Sequence, residues 1–220
     1  TLSSFEIDSS STFYSGSLSY QWIRQRQENL ALKLTFDSRN SVTDILNTPL
    51  TRDYVRAVRA SVNFDATDRW QGYNIVTATL SRGIDGLGSS QKGDADLSRA
   101  QAAPDFTKAE LSLTRLQGIT ADWSLLASAT FQRASGPLYS SEEFGYGGQA
   151  FGRAYDASEI SGDHGAAGSL ELRYGAWGDE QPIGISPYAF YDIGTIWNED
   201  RAQSKRESGA SAGGGIRVSS

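Results

Sequence analysis

Few side chains in this chain of 220 residues can do covalent or metal chemistry. It has no cysteine, which excludes disulfides, thiol nucleophiles and Cys-ligated zinc. It has one histidine, His164, which excludes a His-rich metal site and leaves any Ser-His-Asp triad dependent on that residue. His164 stands in Ser161-Gly-Asp-His-Gly165. One His beside one Asp is a poor triad, because sequence neighbours seldom converge on one reacting atom, so a loop turn is the better reading. Gly145 to Gly152 is rich in glycine, but no Lys-Ser/Thr follows, so a phosphate loop is not supported. Asp85-Gly-Leu-Gly88 and Lys92-Gly-Asp-Ala-Asp96 lack the ligand spacing and terminal glutamate of a calcium loop and read as surface loops. The reading is of a protein that is no enzyme and needs neither cofactor nor metal. A net charge of −6 and a pI of about 4.9 also disfavour nucleic acid as a partner.

The elements that carry these residues alternate with a period of two, which places side chains on opposite faces of a sheet. Leu30, Leu32, Leu34 and Phe36 oppose Ala31, Lys33, Thr35, Asp37 and Arg39. Val58, Ala60, Val62 and Phe64 oppose Ala57, Arg59, Ser61, Asn63 and Asp65. Trp123, Leu125, Ala127, Ala129 and Phe131 oppose Ser124, Leu126, Ser128, Thr130 and Gln132. Leu170, Leu172, Tyr174 and Ala176 oppose Ser169, Glu171, Arg173 and Gly175. About nine strands are expected, near 12–24, 29–40, 53–66, 71–83, 105–117, 122–134, 167–177, 184–197 and 209–219. Phe5 to Asp8 either belong to a strand cut short or extend the first.

The connections sort into two kinds. Gln25–Glu28, Thr67–Trp70, Gly118–Ala121 and Gly178–Ile183 are short. Ser41–Arg52, Ile84–Pro104, Ser135–Ala166 and Glu199–Glu207 are long, and the two kinds alternate. Short turns on one side and long loops on the other characterise up-and-down barrels of the bacterial outer membrane. Trp22, Trp70, Trp123 and Trp177 lie beside short turns, where a membrane-interface girdle would place them, while Trp197 borders a long loop. The apolar faces would meet lipid. Lys33, Arg59, Asp65, Glu171, Arg173 and Asp192 would face a wet lumen, whereas in a small soluble sandwich they would be costly to bury. The expectation is an all-β, antiparallel, up-and-down transmembrane β-barrel over residues 1–220, incomplete because bacterial single-chain barrels have even strand numbers. The chain starts at Thr1, contains no methionine and ends without an aromatic residue, so strands are expected to be missing at both ends; self-association of copies through free edges is the alternative.

The stretch from Phe144 to Tyr174, opening Phe-Gly-Tyr-Gly-Gly-Gln-Ala-Phe-Gly-Arg-Ala-Tyr, resembles the outer-membrane transporters of two-partner secretion. This is the haemolysin secretion/activation (TpsB) family, relatives of BamA-type assembly factors. Leu18–Thr35, Asp65–Leu87, Pro104–Trp123 and Tyr188–Trp197 agree with it. The resemblance implies a barrel of about 16 strands, preceded by periplasmic POTRA domains that this chain lacks. It implies export of a large secreted partner, of adhesin or haemolysin type, across the outer membrane of a Gram-negative bacterium. It makes the connection after residue 135 a loop that folds into the lumen, tipped by a Val/Ile-Arg-Gly-Tyr/Phe motif. The matching residues are Gly152, Arg153, Ala154 and Tyr155, which depart from the motif at the first and third positions. A Phe-x-Asp-x-Gly strand motif matches Phe190, Asp192 and Gly194, and in relatives the loop arginine pairs with that aspartate.

The residues themselves allow the same pair. Asp192 shares the lumen face with Phe190 and Gly194, an arginine on a long Gly-rich loop can reach it, and Arg–carboxylate pairing is planar and can be bidentate. The alternative is that Arg153 is a solvated loop charge. Ala154 would disfavour a left-handed backbone that glycine tolerates, so a different tip geometry is expected. Three functions are weighed: a transporter gated by the inner loop, a BamA-type assembly factor, and a soluble β-rich adhesin or binding module. The first is preferred.

Overall fold

Period-two alternation is expressed in the computed structural model as one antiparallel sheet of nine strands. The structure describes residues 7–46, 48–175, 184–199 and 206–219. The strands are β1 (Ile7–Arg24), β2 (Glu28–Ile45), β3 (Thr48–Thr67), β4 (Tyr73–Gly83), β5 (Thr107–Gly118), β6 (Trp123–Ala134), β7 (Phe144–Tyr146), β8 (Ile160–Gly162), β9 (His164–Tyr174), β10 (Gly184–Trp197) and β11 (Glu207–Ser219). The sheet order is β1-β2-β3-β4-β5-β6-β9-β10-β11, so each strand pairs with the next in an up-and-down meander. The connection from β6 to β9 holds a 3-10 turn, Ser140–Glu142, and a small hairpin of β7 and β8.

The strand positions follow the alternation closely, with one correction. Ser41–Arg52 is not a long loop: β2 runs on to Ile45, β3 begins at Thr48, and the pairing continues from Asn40↔Tyr54 to Ile45↔Thr48. The reason is that apolar and polar residues stop alternating along this hairpin, so that its composition imitates a loop. Its hydroxyl side chains meet across strands instead, as Ser9 with Thr43 at 3.1 Å and Ser11 with Ser41 at 3.3 Å. Ala176, Trp177 and the Gly178–Ile183 connection lie outside the described residues, as does most of the Glu199–Glu207 connection.

One face of the sheet carries exposed apolar side chains: Leu18 (77%), Leu34, Leu80, Leu170 and Ile193 among them. Trp22, Trp70 and Trp123 are also exposed. An apolar face this extensive is what lipid would cover. The other face is polar, and the β4–β5 and β6–β9 connections fold down on it. Leu138 and Tyr139 of the longer connection pack with Ala102 and Phe106 of the shorter one against Val55, Ala57 and Ala134. The Tyr139 hydroxyl donates to the Ser90 carbonyl at 2.7 Å.

A buried ion pair ties the two connections together. Arg99 donates from both terminal nitrogens to the carboxylate of Asp163, which is fully buried just before β9. Asp163 also accepts from the amides of Leu138 at 2.8 Å and Glu199 at 3.0 Å. Burial alone would push its carboxyl pKa up; Arg99 and the two amides outweigh that and hold it below the usual carboxylate range. A depressed folded-state pKa contributes stability that is present above the ordinary carboxylate pKa and lost as pH falls through the folded value. Asp163→Ala should therefore destabilise the outer connections by about 1.5–3 kcal/mol, because it removes the fork with Arg99 and leaves the Leu138 and Glu199 amides without their acceptor, while Glu143, 3.1 Å from Arg99, keeps that charge paired. Urea unfolding of the full-length protein in lipid vesicles at neutral pH checks this, and the difference between wild type and variant should shrink below about pH 4.

Candidate functional site

Asp192 lies in the middle of β10 with its side chain on the polar face. The antiparallel register puts Ser169 of β9 directly opposite on one side and Ser211 of β11 directly opposite on the other. Both hydroxyls donate to the carboxylate, at 2.7 Å from Ser169 Oγ and 3.3 Å from Ser211 Oγ. Asp192 is fully buried and needs a cation as well.

Arg153 supplies it. Its Nε donates to Oδ2 and its Nη2 to Oδ1 of Asp192, each at 3.1 Å, a side-on fork, and its own amide donates to Oδ2 at 3.1 Å. Nη2 also donates to Ser169 Oγ at 3.0 Å, and Nη1 donates to Glu171 Oε2. The guanidinium carbon stands 3.7 Å from the centroid of the Phe190 ring, so the fork rests on an aromatic face. Glu171, opposite Phe190 in the register, is shared with Arg173 at 2.7 Å and Arg217 at 2.8 Å.

The loop tip is shaped to present this arginine. Gly152 to Tyr155 form a turn closed by the Tyr155 amide on the Gly152 carbonyl at 2.9 Å, with Arg153 at its second position. The left-handed residue is Gly152 (φ +79°), where a side chain would also press on the Tyr146 ring at 2.7 Å. Ala154 has no positive φ, so the tip needs its glycine one residue before the arginine instead of one after. A branched aliphatic residue at position 152 would be strained there.

Gly194 has a separate reason. It stands opposite Gly209 of β11, and together they make a bare patch on the sheet. Tyr146 lies on that patch: a methyl group on Gly194 would overlap its ring, and one on Gly209 would come to 2.7 Å from it. Tyr155 packs beside Tyr146, ring centroids 5.5 Å apart. Phe144, Tyr146, Ala167 and Ile196, with Phe151, Tyr155 and Ile160 against them, form a small apolar core between tip and wall.

The residues singled out in the sequence thus come together around Asp192: Gly152, Arg153 and Tyr155 on the tip, Phe190 and Gly194 on the strand. Ala154 serves as a turn residue without a side-chain contact of its own among those described. Sequence reasoning missed Ser169, Ser211, Tyr146 and the role of Glu171. Ser169, Glu171 and Asp192 could be assigned to one face by alternation, but their adjacency depends on cross-strand register, which alternation does not set. The Ser161-Gly-Asp-His-Gly165 segment is structural. Ser161 Oγ donates to Glu143 at 3.3 Å, not to His164. Fully buried His164 accepts the Ala134 amide at Nδ1 (3.0 Å), which leaves Nε2 to donate to Glu199 Oε1 at 2.9 Å, and it stacks on Trp197.

Comparison with known proteins agrees with this architecture. The model of the haemolysin secretion/activation protein family ShlB/FhaC/HecB matches residues 1–218. The chain belongs to this family. It is 28% identical over 153 residues to the outer membrane transporter CdiB of Dickeya dadantii (strain 3937), covering 69% of this chain and 27% of that protein. The fold is similar to that of CdiB from Escherichia coli, with a TM-score of 0.85 at 17% identity, covering 98% of this chain and 40% of the other. CdiB from Acinetobacter baumannii aligns with a TM-score of 0.67 at 16% identity over 94% of this chain and 36% of that one. The chain therefore spans about a quarter of the curated relative, and its sheet is part of an outer-membrane β-barrel of a Gram-negative bacterium. The polar face is the lumen.

The glycine pair yields a prediction. Gly194→Ala should lift Tyr146 from the wall at a cost of about 1–3 kcal/mol and expose the tip, read as faster trypsin cleavage after Arg153 in the folded, full-length protein. Gly16→Ala, where nothing lies within 4 Å of the added methyl, should leave cleavage unchanged.

Proposed function

We propose that this chain forms part of the pore wall and the inner loop of an outer-membrane transporter that secretes a large partner protein, of adhesin or haemolysin type, in extended form. Residues 135–163 are the inner loop, and Arg153 seated on Asp192 holds it at rest. The observation that carries this reading is the fork between a loop arginine and a fully buried wall aspartate inside the lumen. Such a contact obstructs the lumen while it holds, and it can be undone by water and by a competing chain without unfolding a strand. The name of the Dickeya dadantii relative, an outer membrane transporter, supports the assignment. Transport then needs no nucleotide: client segments thread the lumen and are drawn outward by folding outside the cell. The lipid bilayer covers the apolar face, and no cofactor takes part.

Asp192→Ala in the full-length transporter should leave the barrel formed, judged by circular dichroism and heat-modifiable migration, yet reduce secretion of the partner about ten-fold or more, since a charge-assisted hydrogen-bond pair of this kind is lost. Arg153→Lys should recover little, because an ammonium cannot make the fork or lie flat on Phe190. Normal export by both variants would overturn the latch. Co-purification of unfolded barrel proteins instead of a secreted partner would replace transport by barrel assembly.

A further inference from the structure

The inner loop carries a second charged contact at Glu142, the last residue of its 3-10 turn Ser140–Glu142, eleven residues before Arg153. Glu142 is buried, and every polar atom of its carboxylate is taken by the wall of the opposite part of the sheet. Arg59 of β3 donates from Nη2 to Oε1 at 2.6 Å and from Nη1 to Oε2 at 3.1 Å. Lys108 of β5 places its ammonium 2.9 Å from Oε2. The Glu142 carbonyl accepts from Lys108 Nζ at 3.1 Å and from Gln132 Nε2 at 3.0 Å. Arg59 is itself set in place by Asp37, 2.6 Å from its Nε, and by Ser81 Oγ, 2.9 Å from its Nη1.

The order of strands decides how far apart the two contacts are. From β3 to β10 the sheet passes through β4, β5, β6 and β9, which is five inter-strand steps. At about 4.8 Å per step the loop bridges about 24 Å of wall. The signs are reversed between the two ends. On β9 and β10 the wall supplies carboxylates and the loop supplies an arginine; on β3 and β5 the wall supplies cations and the loop supplies a carboxylate. Neither end shares a residue with the other.

We infer that Glu142 is a second anchor of the inner loop, seated on Arg59 and Lys108 and releasable independently of the Arg153 anchor. The loop is held at two points of opposite polarity, and clearing the lumen on the β3–β5 side requires Glu142 to leave its site. This rests on the reading of residues 135–163 as a movable inner loop.

Two local readouts in the full-length protein, free of other exposed thiols, separate the anchors. The hydroxyl of Ser141 is enclosed, so Ser141→Cys reports release of the first half by its rate of labelling with a bulky thiol reagent. Trypsin cleavage after Arg153 reports release of the tip. Glu142→Gln should raise labelling at position 141 about ten-fold and leave cleavage after Arg153 unchanged, as expected for loss of a charge-assisted site. Asp192→Ala should do the reverse. Lys108→Gln, which leaves Arg59 in place, should raise labelling by a smaller factor, and it stands in if Glu142→Gln does not fold. Unchanged labelling in Glu142→Gln or in Lys108→Gln would overturn the second anchor. So would equal labelling in Asp192→Ala and Glu142→Gln, which would mean one contact holds the whole loop. If each variant frees only its own half while secretion stays normal, the anchor stands and the gating role fails.

Discussion

A carboxylate wholly enclosed on a sheet must be met by hydrogen-bond donors and by a positive charge, and Asp192 is such a carboxylate. The sheet supplies the donors itself, through serines placed directly opposite on both neighbouring strands. Among the described residues the nearby sheet cations, Arg173 and Arg217, are drawn to Glu171. The cation has to come from outside the sheet, and the inner loop brings it. Much else at this site serves that delivery. Phe190 gives the guanidinium a flat seat, Gly152 allows the tight turn, and the Gly194–Gly209 pair lets Tyr146 lie close enough to carry the tip inward.

The three ion-pair sites around the loop differ in burial, and burial sets how easily each exchanges with water. Asp163 and Arg99 are enclosed on both sides of the pair, with side chains 0% and 6% exposed. Glu143, 10% exposed and 3.1 Å from Arg99, joins the same enclosed cluster, so loss of Asp163 removes one of two carboxylates and costs about 1.5–3 kcal/mol. Arg153 and Arg59 keep 18% and 19% of their side-chain surface in contact with the lumen. A guanidinium already touching water is rehydrated with little further movement. The carboxylates are enclosed at all three sites, so the sites differ in their cations: Arg99 is shut away from water, while Arg153 and Arg59 keep an edge in it.

Alternation was enough to place the nine strands and to divide their faces, because lipid and water sort side chains with a period of two. It failed at Ser41–Arg52, where apolar and polar residues stop alternating in the sequence although the pairing continues. At the site, residue types on the loop and on β10 were legible through the family resemblance, while the partners on β9 and β11 were not. Ser169, Ser211 and Glu171 become neighbours of Asp192 only through register, and register across a sheet is settled by pairing between segments far apart in the chain. Glu142 was invisible for the same reason: its partners lie 83 residues away at Arg59 and 34 away at Lys108.

The rest of the inner wall explains why so few charges can place the loop. Between the two anchors the lumen face carries hydroxyls that satisfy one another across strands, as Ser61 with Thr79 at 3.0 Å, Ser112 with Thr130 at 3.3 Å and Thr114 with Ser128 at 3.4 Å. Apart from Glu110, which is drawn to Lys108 at 3.5 Å, these mutually paired hydroxyls offer a passing or resting segment weak, interchangeable contacts, each no better than the contact with water that it replaces. Position along such a wall is not specified by it. It is specified by the carboxylates of β9 and β10 at one end and the cations of β3 and β5 at the other. Because the two ends have opposite sign, a loop with Glu142 and Arg153 exchanged would meet like charge at both, and the seating has one orientation.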